Sequence, residues 1–203
     1  MSTPPLAIAA VAALSDADFD QSDLKGANLT GANLSGADLS GVNLTGADLS
    51  ETDLRRTNLT GADLTGAWLS DANLSGANLV SVRLSSANMY RTNLSGADLR
   101  RAHLADADIA GANLSGADLA GARLYESDLT GANLAGANLE GVDLTGADLS
   151  GADLTLADLE GALAQDVTGI NLGHDRVFKG TPDGYRIQRS RLSGRDYGLV
   201  DKE

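Results

Sequence analysis

Cysteine is missing from all 203 residues, which excludes disulfides, thiol nucleophiles and thiolate metal ligands. Redox compartment therefore leaves no trace in cysteine usage. Histidine occurs twice, as His103 and His174, without other ligands at a spacing that suits zinc, so no metal or other cofactor is expected. Aromatic residues make up 3% of the chain and proline occurs three times. The longest apolar run covers residues 6–14 and is far too short to span a bilayer. It lacks a positively charged start and a convincing cleavage site, so a signal peptide is not expected either. A cytoplasmic protein without membrane contact follows as the expectation. Basic residues are outnumbered 15 to 28, for a net charge of −13. The deficit sits in residues 16–160, with 22 acidic and 8 basic side chains, while residues 161–203 carry 6 and 7. An acidic body argues against direct nucleic-acid binding, which needs Lys and Arg to neutralise phosphates.

What the chain has in abundance is one pattern. From Phe19 to Leu159 every fifth residue is large and apolar, and 26 of these 29 positions are Leu, the others being Phe19, Met89 and Ile109. Two places before each such centre stands a small residue, Ala in 21 cases. Between the two lies Asp or Asn in 25 cases, and Gly is the commonest residue two places after the centre. A period of five fits neither helical spacing nor continuous strand alternation. A strand of about three residues followed by a corner satisfies both local alternation and the restart, with Gly supplying backbone angles that other residues avoid. Periodicity alone leaves three, four or five sides per coil open.

Runs such as Ala27-Asn28-Leu29-Thr30-Gly31 and Ala147-Asp148-Leu149-Ser150-Gly151 resemble the pentapeptide-repeat protein family. The resemblance implies an all-β fold, a right-handed quadrilateral β-helix with Leu and Ala inside. On that fold the repeat occupies residues 17–163 in about seven coils, a rod on the order of 35 Å long. Residues 1–16, with Pro4 and Pro5, are expected to cap the first coil, because bare end strands invite edge association. Residues 164–203 are expected to cap the last one. There Leu163 comes one place early, Ala164 takes the centre, and Thr181-Pro182-Asp183-Gly184 predicts a hairpin between Val177-Phe178 and the segment from Tyr185 to Ile187. In some relatives this end makes the dimer contact. Phe178, Tyr185, Ile187 and Tyr197 are the candidates for it here.

With four sides, residues 20 apart stack, and the outward columns can be compared. One reads Asp23, Asn43, Asp63, Arg83, His103, Arg123, Asp143, so three of the four departures from Asp or Asn are consecutive. The fourth is Trp68, on the next side. Arg100 and Arg101 precede His103 around a corner, Tyr125 follows Leu124, and Tyr90 and Arg91 accompany the Trp68 column. Outward positions drift, and some clustering arises without selection. A mixture of Arg, Trp and Tyr is nevertheless what protein interfaces favour, and these nine residues form the candidate interaction patch.

Catalytic groupings are not evident. The abundant Ser residues lack a partner base, stacked Asp residues follow from the repeat rule, and no phosphate-loop motif occurs. Three non-enzymatic readings remain. The first is a rigid scaffold for a protein partner. The second, implied by the resemblance, is duplex-DNA mimicry directed at DNA gyrase, as some family members practise; those relatives tend to have Phe-rich, interrupted repeats, unlike this chain. The third is ice or carbohydrate binding through Ser/Thr rows, although Lys25, Ala105 and Tyr125 interrupt the row containing Thr45, Thr65 and Ser85.

Overall fold

The computed structural model describes residues 24–169 and the backbone of two short strands, β1 (Arg186–Arg189) and β2 (Tyr197–Val200). Over residues 24–169 the chain winds into a four-sided β-helix. Each outward residue is bridged in parallel to the one 20 positions on, from Asn28–Asp48 to Asp148–Thr168, and four such residues occur per turn. Four sides per coil is thereby settled. On each side the outward residue is bridged to the neighbouring coil, with the ladder bonds made by the small residue and the centre that flank it.

One repeat shows how five residues make a side and a corner. Leu29 N–H donates to the Asp48 carbonyl at 2.7 Å, and Asp48 N–H donates to the Ala27 carbonyl at 2.9 Å, which locks neighbouring coils together. Ala32 N–H returns to the Leu29 carbonyl at 2.9 Å and closes a tight turn. The third residue of that turn, Gly31, has φ 66° and points its N–H at Ser50 of the next coil. The small residue, the outward residue and the centre thus use both their N–H and their C=O within the stack, leaving side chains to define inside and outside.

Inside, the centres and the small residues form one continuous buried column from Leu24 to Ala164. Where a hydroxyl enters the lumen it finds a backbone carbonyl: Thr57 Oγ1 donates to that of Leu54 and Ser127 Oγ to that of Leu124, both at 2.6 Å, while Thr52 and Thr92 reach those of Leu29 and Leu69 in the preceding coil. The four faces are designated by their outward columns. The first runs from Asn43 through Arg83, His103 and Arg123 to Leu163; the second from Asn28 through Trp68 to Thr168. The third holds Asn33 to Asp153 and the fourth Asp38 to Asp158.

The sequence register breaks after Leu159, but the backbone register does not. Leu163 N–H still donates to the Val142 carbonyl and Thr168 N–H to that of Ala147. Leu163 simply takes an outward position and Ala164 an inward one. Ladder hydrogen bonds use main-chain groups, so they tolerate an exchange of large and small side chains. Beyond this, β1 and β2 pair antiparallel, with Ile187 opposite Leu199 and Arg189 opposite Tyr197. The Val177-Phe178 arm of the predicted hairpin lies outside the described residues. Phe178, Tyr185, the turn at 181–184 and the N-terminal 1–16 segment lie outside the described residues.

Among the described residues eleven corners hold a residue other than Gly at positive φ. Leu156 is the least suited, with φ 61° and 74% exposure. The left-handed region costs an L-residue about 1–2 kcal/mol, so Leu156→Gly is expected to raise stability by about 1 kcal/mol after the larger chain entropy of Gly is subtracted. A thermal melt of the variant that moves down rather than up contradicts this conformation.

Candidate protein-interaction site

The outward Asp and Asn residues have a structural duty. Each accepts, through Oδ1, a hydrogen bond from the backbone N–H two residues on: Asn28 from Thr30 at 3.1 Å, Asp63 from Thr65 at 3.1 Å, Asp143 from Thr145 at 3.0 Å. This is the Asx turn, and it steadies the entry to each corner. Asp and Asn serve equally because only the oxygen is used. On the third face the amides add a ladder of their own, Asn113 Nδ2 to Asn93 Oδ1 and Asn93 Nδ2 to Asn73 Oδ1, each at 3.3 Å.

Trp68, Arg83 and Arg123 have no acceptor to offer there, and His103 does not take up the bond. The N–H groups of Ser70, Ser85, Ala105 and Tyr125 accordingly make no hydrogen bond among the described residues. On the first face the three affected coils are consecutive. The corners that follow them change as well: Ser86, Asp106 and Glu126 stand at φ 55°, 57° and 58°, whereas the same corner column holds Gly46, Gly66 and Gly146 to either side. Two independent local preferences are broken together over the same three coils.

The predicted patch is spread around the rod. Arg83, His103, Arg123 and Tyr125 share the first face, and Arg101 lies at the corner leading into it. Trp68 and Tyr90 are exposed on the second face, and Arg91 stands at its far corner. Arg100 belongs to the fourth face, where it donates to Asp98 at 2.6 Å and lies 3.7 Å from Asp118. Arg91 is paired with Asp71, and Arg83 with Asp63, both at 3.3 Å. Arg101, His103 and Arg123 have no ion-pair partner among the described residues. The first face with its leading corner is thus the part of the patch whose cations are least engaged within the chain. The Asx rule is what sequence reading missed; its signal was the free exchange of Asp and Asn at one position.

The same bonds tune the carboxylates. The Arg55 guanidinium holds the Asp53 carboxyl below the usual range, and Arg100 does so for Asp98. For Asp38 the Ser40 backbone N–H is the main cause, and for Asp153 the Thr155 side chain. A carboxyl lowered by folding stabilises the fold above its ordinary value of 3.8, and that contribution is lost as pH falls through the folded-state value. The urea midpoint is expected to fall below about pH 4 on this account. Asp38→Asn and Asp153→Asn keep the acceptor oxygen, so they should retain the turn while flattening that acid limb.

Among the described residues no group of His, Asp or Glu is placed to hold a metal ion, and no helix is long and apolar enough to cross a membrane. The Ser/Thr rows are partly turned onto the protein: Thr45 Oγ1 donates to Asn43 at 2.7 Å and Thr65 Oγ1 to Asp63 at 2.6 Å.

Comparison with known proteins agrees with the geometry. The family described as pentapeptide repeats matches in eight copies, over residues 12–46, 37–76, 69–104, 97–134 and 122–162. No curated protein matches the chain. Among solved structures, it is similar to HetL, a pentapeptide repeat protein involved in heterocyst differentiation regulation from the cyanobacterium Nostoc sp. strain PCC 7120, at 32% identity, covering 77% of this chain and 90% of that one with TM-score 0.42. It is also similar to a trypsin-treated form of QnrB1, a plasmid-mediated fluoroquinolone resistance protein, at 21% identity, covering 76% and 81% with TM-score 0.59. The second likeness shows a shared fold. With repeats matched over most of its length and coils closing every 20 residues, the chain belongs to the pentapeptide-repeat family, whose members form right-handed β-helices.

Proposed function

We propose that the protein is a non-catalytic scaffold, a rod of about seven coils that presents a protein-binding surface on its first face and the adjoining edge of the second. The observation that carries this reading is the joint loss of Asx acceptors and corner glycines over the three coils of Arg83, His103 and Arg123. Both losses cost local stability, and such violations concentrate where a surface serves something other than folding. Trp68, Tyr90 and Tyr125, all exposed, supply the aromatic area that interfaces favour. The test is a pull-down with the wild type and the Trp68→Ala/Arg83→Ala/Arg101→Ala variant. A partner retained by the wild type and lost by the variant is expected; an unchanged set of partners removes the reading.

A second reading follows from the charge of the repeat body, 22 acidic against 8 basic side chains. Asp108, Asp128 and Asp148 stack on the second face and imitate a row of phosphates at ladder spacing. Through the family resemblance this points to DNA gyrase as the partner. A supercoiling assay decides it: inhibition or drug protection supports mimicry, and no effect at micromolar protein eliminates it. Residues 1–16 and 164–203 are proposed as caps, the latter also as a dimer contact through Phe178, Tyr185, Ile187 and Tyr197. Light scattering of Tyr197→Ala checks the dimer.

A further inference from the structure

We propose that the first face binds an acidic protein segment, its carboxylates bonded by the Ser85 and Tyr125 N–H groups and by the side chains of Arg83, His103 and Arg123. The proposal rests on the scaffold reading and names the chemistry of its partner. The chain itself supplies the template. Directly before and after these coils, on the same face, the equivalent N–H of Thr65 takes the Asp63 carboxylate and that of Thr145 takes the Asp143 carboxylate. In between, the same donors recur, but the internal acceptor is replaced by Arg83 and Arg123, which are cations, and by the imidazole of His103. A carboxylate arriving from outside meets one amide donor and one charged donor, a pairing roughly twice as strong as a neutral hydrogen bond. Arg83 leans on Asp63 at 3.3 Å, an exposed contact that an incoming carboxylate readily displaces.

Geometry narrows the segment. Ala105, 3% exposed, is recessed between its larger neighbours Ser85 and Tyr125, so its amide is withdrawn and the middle coil contributes His103 instead. The Ser85 and Tyr125 amides, neither bonded within the described residues, lie two coils apart, or about 9.6 Å at ladder spacing. A polyproline II segment running along the rod repeats its side-chain direction every three residues, at about 9.3 Å. Carboxylates three residues apart on such a segment therefore match. A nucleic acid fits worse, because its unbroken row of phosphates meets Asp63 and Asp143 at either end and Asp106 and Glu126 along the corner.

The experiment titrates a labelled peptide of Glu-Pro-Pro repeats against the full chain, beside a Gln-Pro-Pro peptide and a single-stranded oligonucleotide. Saturable binding of the Glu peptide alone is expected, with the Ser85 and Tyr125 amide resonances shifting. In Arg83→Asn/His103→Asn/Arg123→Asn the internal acceptors are restored, and affinity should drop at least about tenfold. Since Asn43 already holds this position on the same face and accepts from Thr45, the loss cannot be put down to unfolding. No binding of the Glu peptide, equal binding by the Asn variant, or tighter binding of the oligonucleotide overturns the proposal. If the peptide fails while the Trp68/Arg83/Arg101 variant still loses its partner in the pull-down, only the carboxylate assignment falls. If both fail, the scaffold reading falls with it.

Discussion

Leu99→Ala is expected to lower unfolding free energy by about 2–5 kcal/mol, the range for removing a fully buried Leu whose surroundings relax little. Leu99 has no solvent exposure and sits in the lumen between Leu79 and Leu119, one coil to either side. Its site is poorly able to collapse. Leu99 N–H is tied to the Asp118 carbonyl at 2.7 Å and Asp98 N–H to the Ala77 carbonyl at 3.0 Å, so the backbone around the missing side chain is fixed by both neighbouring coils. The upper half of the range is therefore anticipated. Leu99→Met is the control: it conserves volume, Met89 already occupies an equivalent fully buried centre, and the cost should stay below about 1.5 kcal/mol. Urea midpoints of both variants make the measurement. A loss under about 1 kcal/mol for the Ala variant would mean that the lumen is not closed.

The second large effect runs in the opposite direction. Arg83→Asn/His103→Asn/Arg123→Asn is expected to stabilise the rod by about 3 kcal/mol, near 1 kcal/mol for each restored hydrogen bond. Asn at these positions accepts from Ser85, Ala105 and Tyr125, as Asn43 does from Thr45 at 3.1 Å. Stacked amides can bond to one another as Asn93 does to Asn73, and the two guanidinium groups of Arg83 and Arg123 are removed from one column at the same time. The sites are neighbours, so single substitutions need not sum to the triple. A higher Tm with weaker partner binding is the combined signature of a surface kept against the interest of stability. A triple variant less stable than wild type means that the Asx bond contributes nothing here.

The fold was legible to an unusual degree because its inside obeys one constraint. A lumen of constant width admits Leu and Ala at fixed places, and the period of five records that. The number of sides needed geometry, since five-residue steps close equally well into other polygons. The outside was less legible. Asp and Asn before each centre read only as outward columns, because a bond between a side chain and a backbone N–H two residues on leaves no mark at a second position. The patch was visible as odd residues, but not which of them were already engaged: Arg100 faces its own Asp98, while Arg123 has no such partner among the described residues. After Leu159 the large side chain leaves its place in the sequence, while the ladder follows the main chain through Leu163 and Thr168.

The bridging of every residue to the one 20 positions on gives each surface residue an angular address, set by its number modulo the coil. Adding one whole coil lengthens the rod and preserves every downstream address. Adding a single five-residue unit leaves the lumen just as well filled, yet swings everything beyond it by a quarter turn about the axis. One unit inserted between Arg83 and His103 would place Arg83 on one side and His103 with Arg123 on the next. Duplication and loss of single units can thus rewrite which surface residues meet, at almost no cost to the core that holds them.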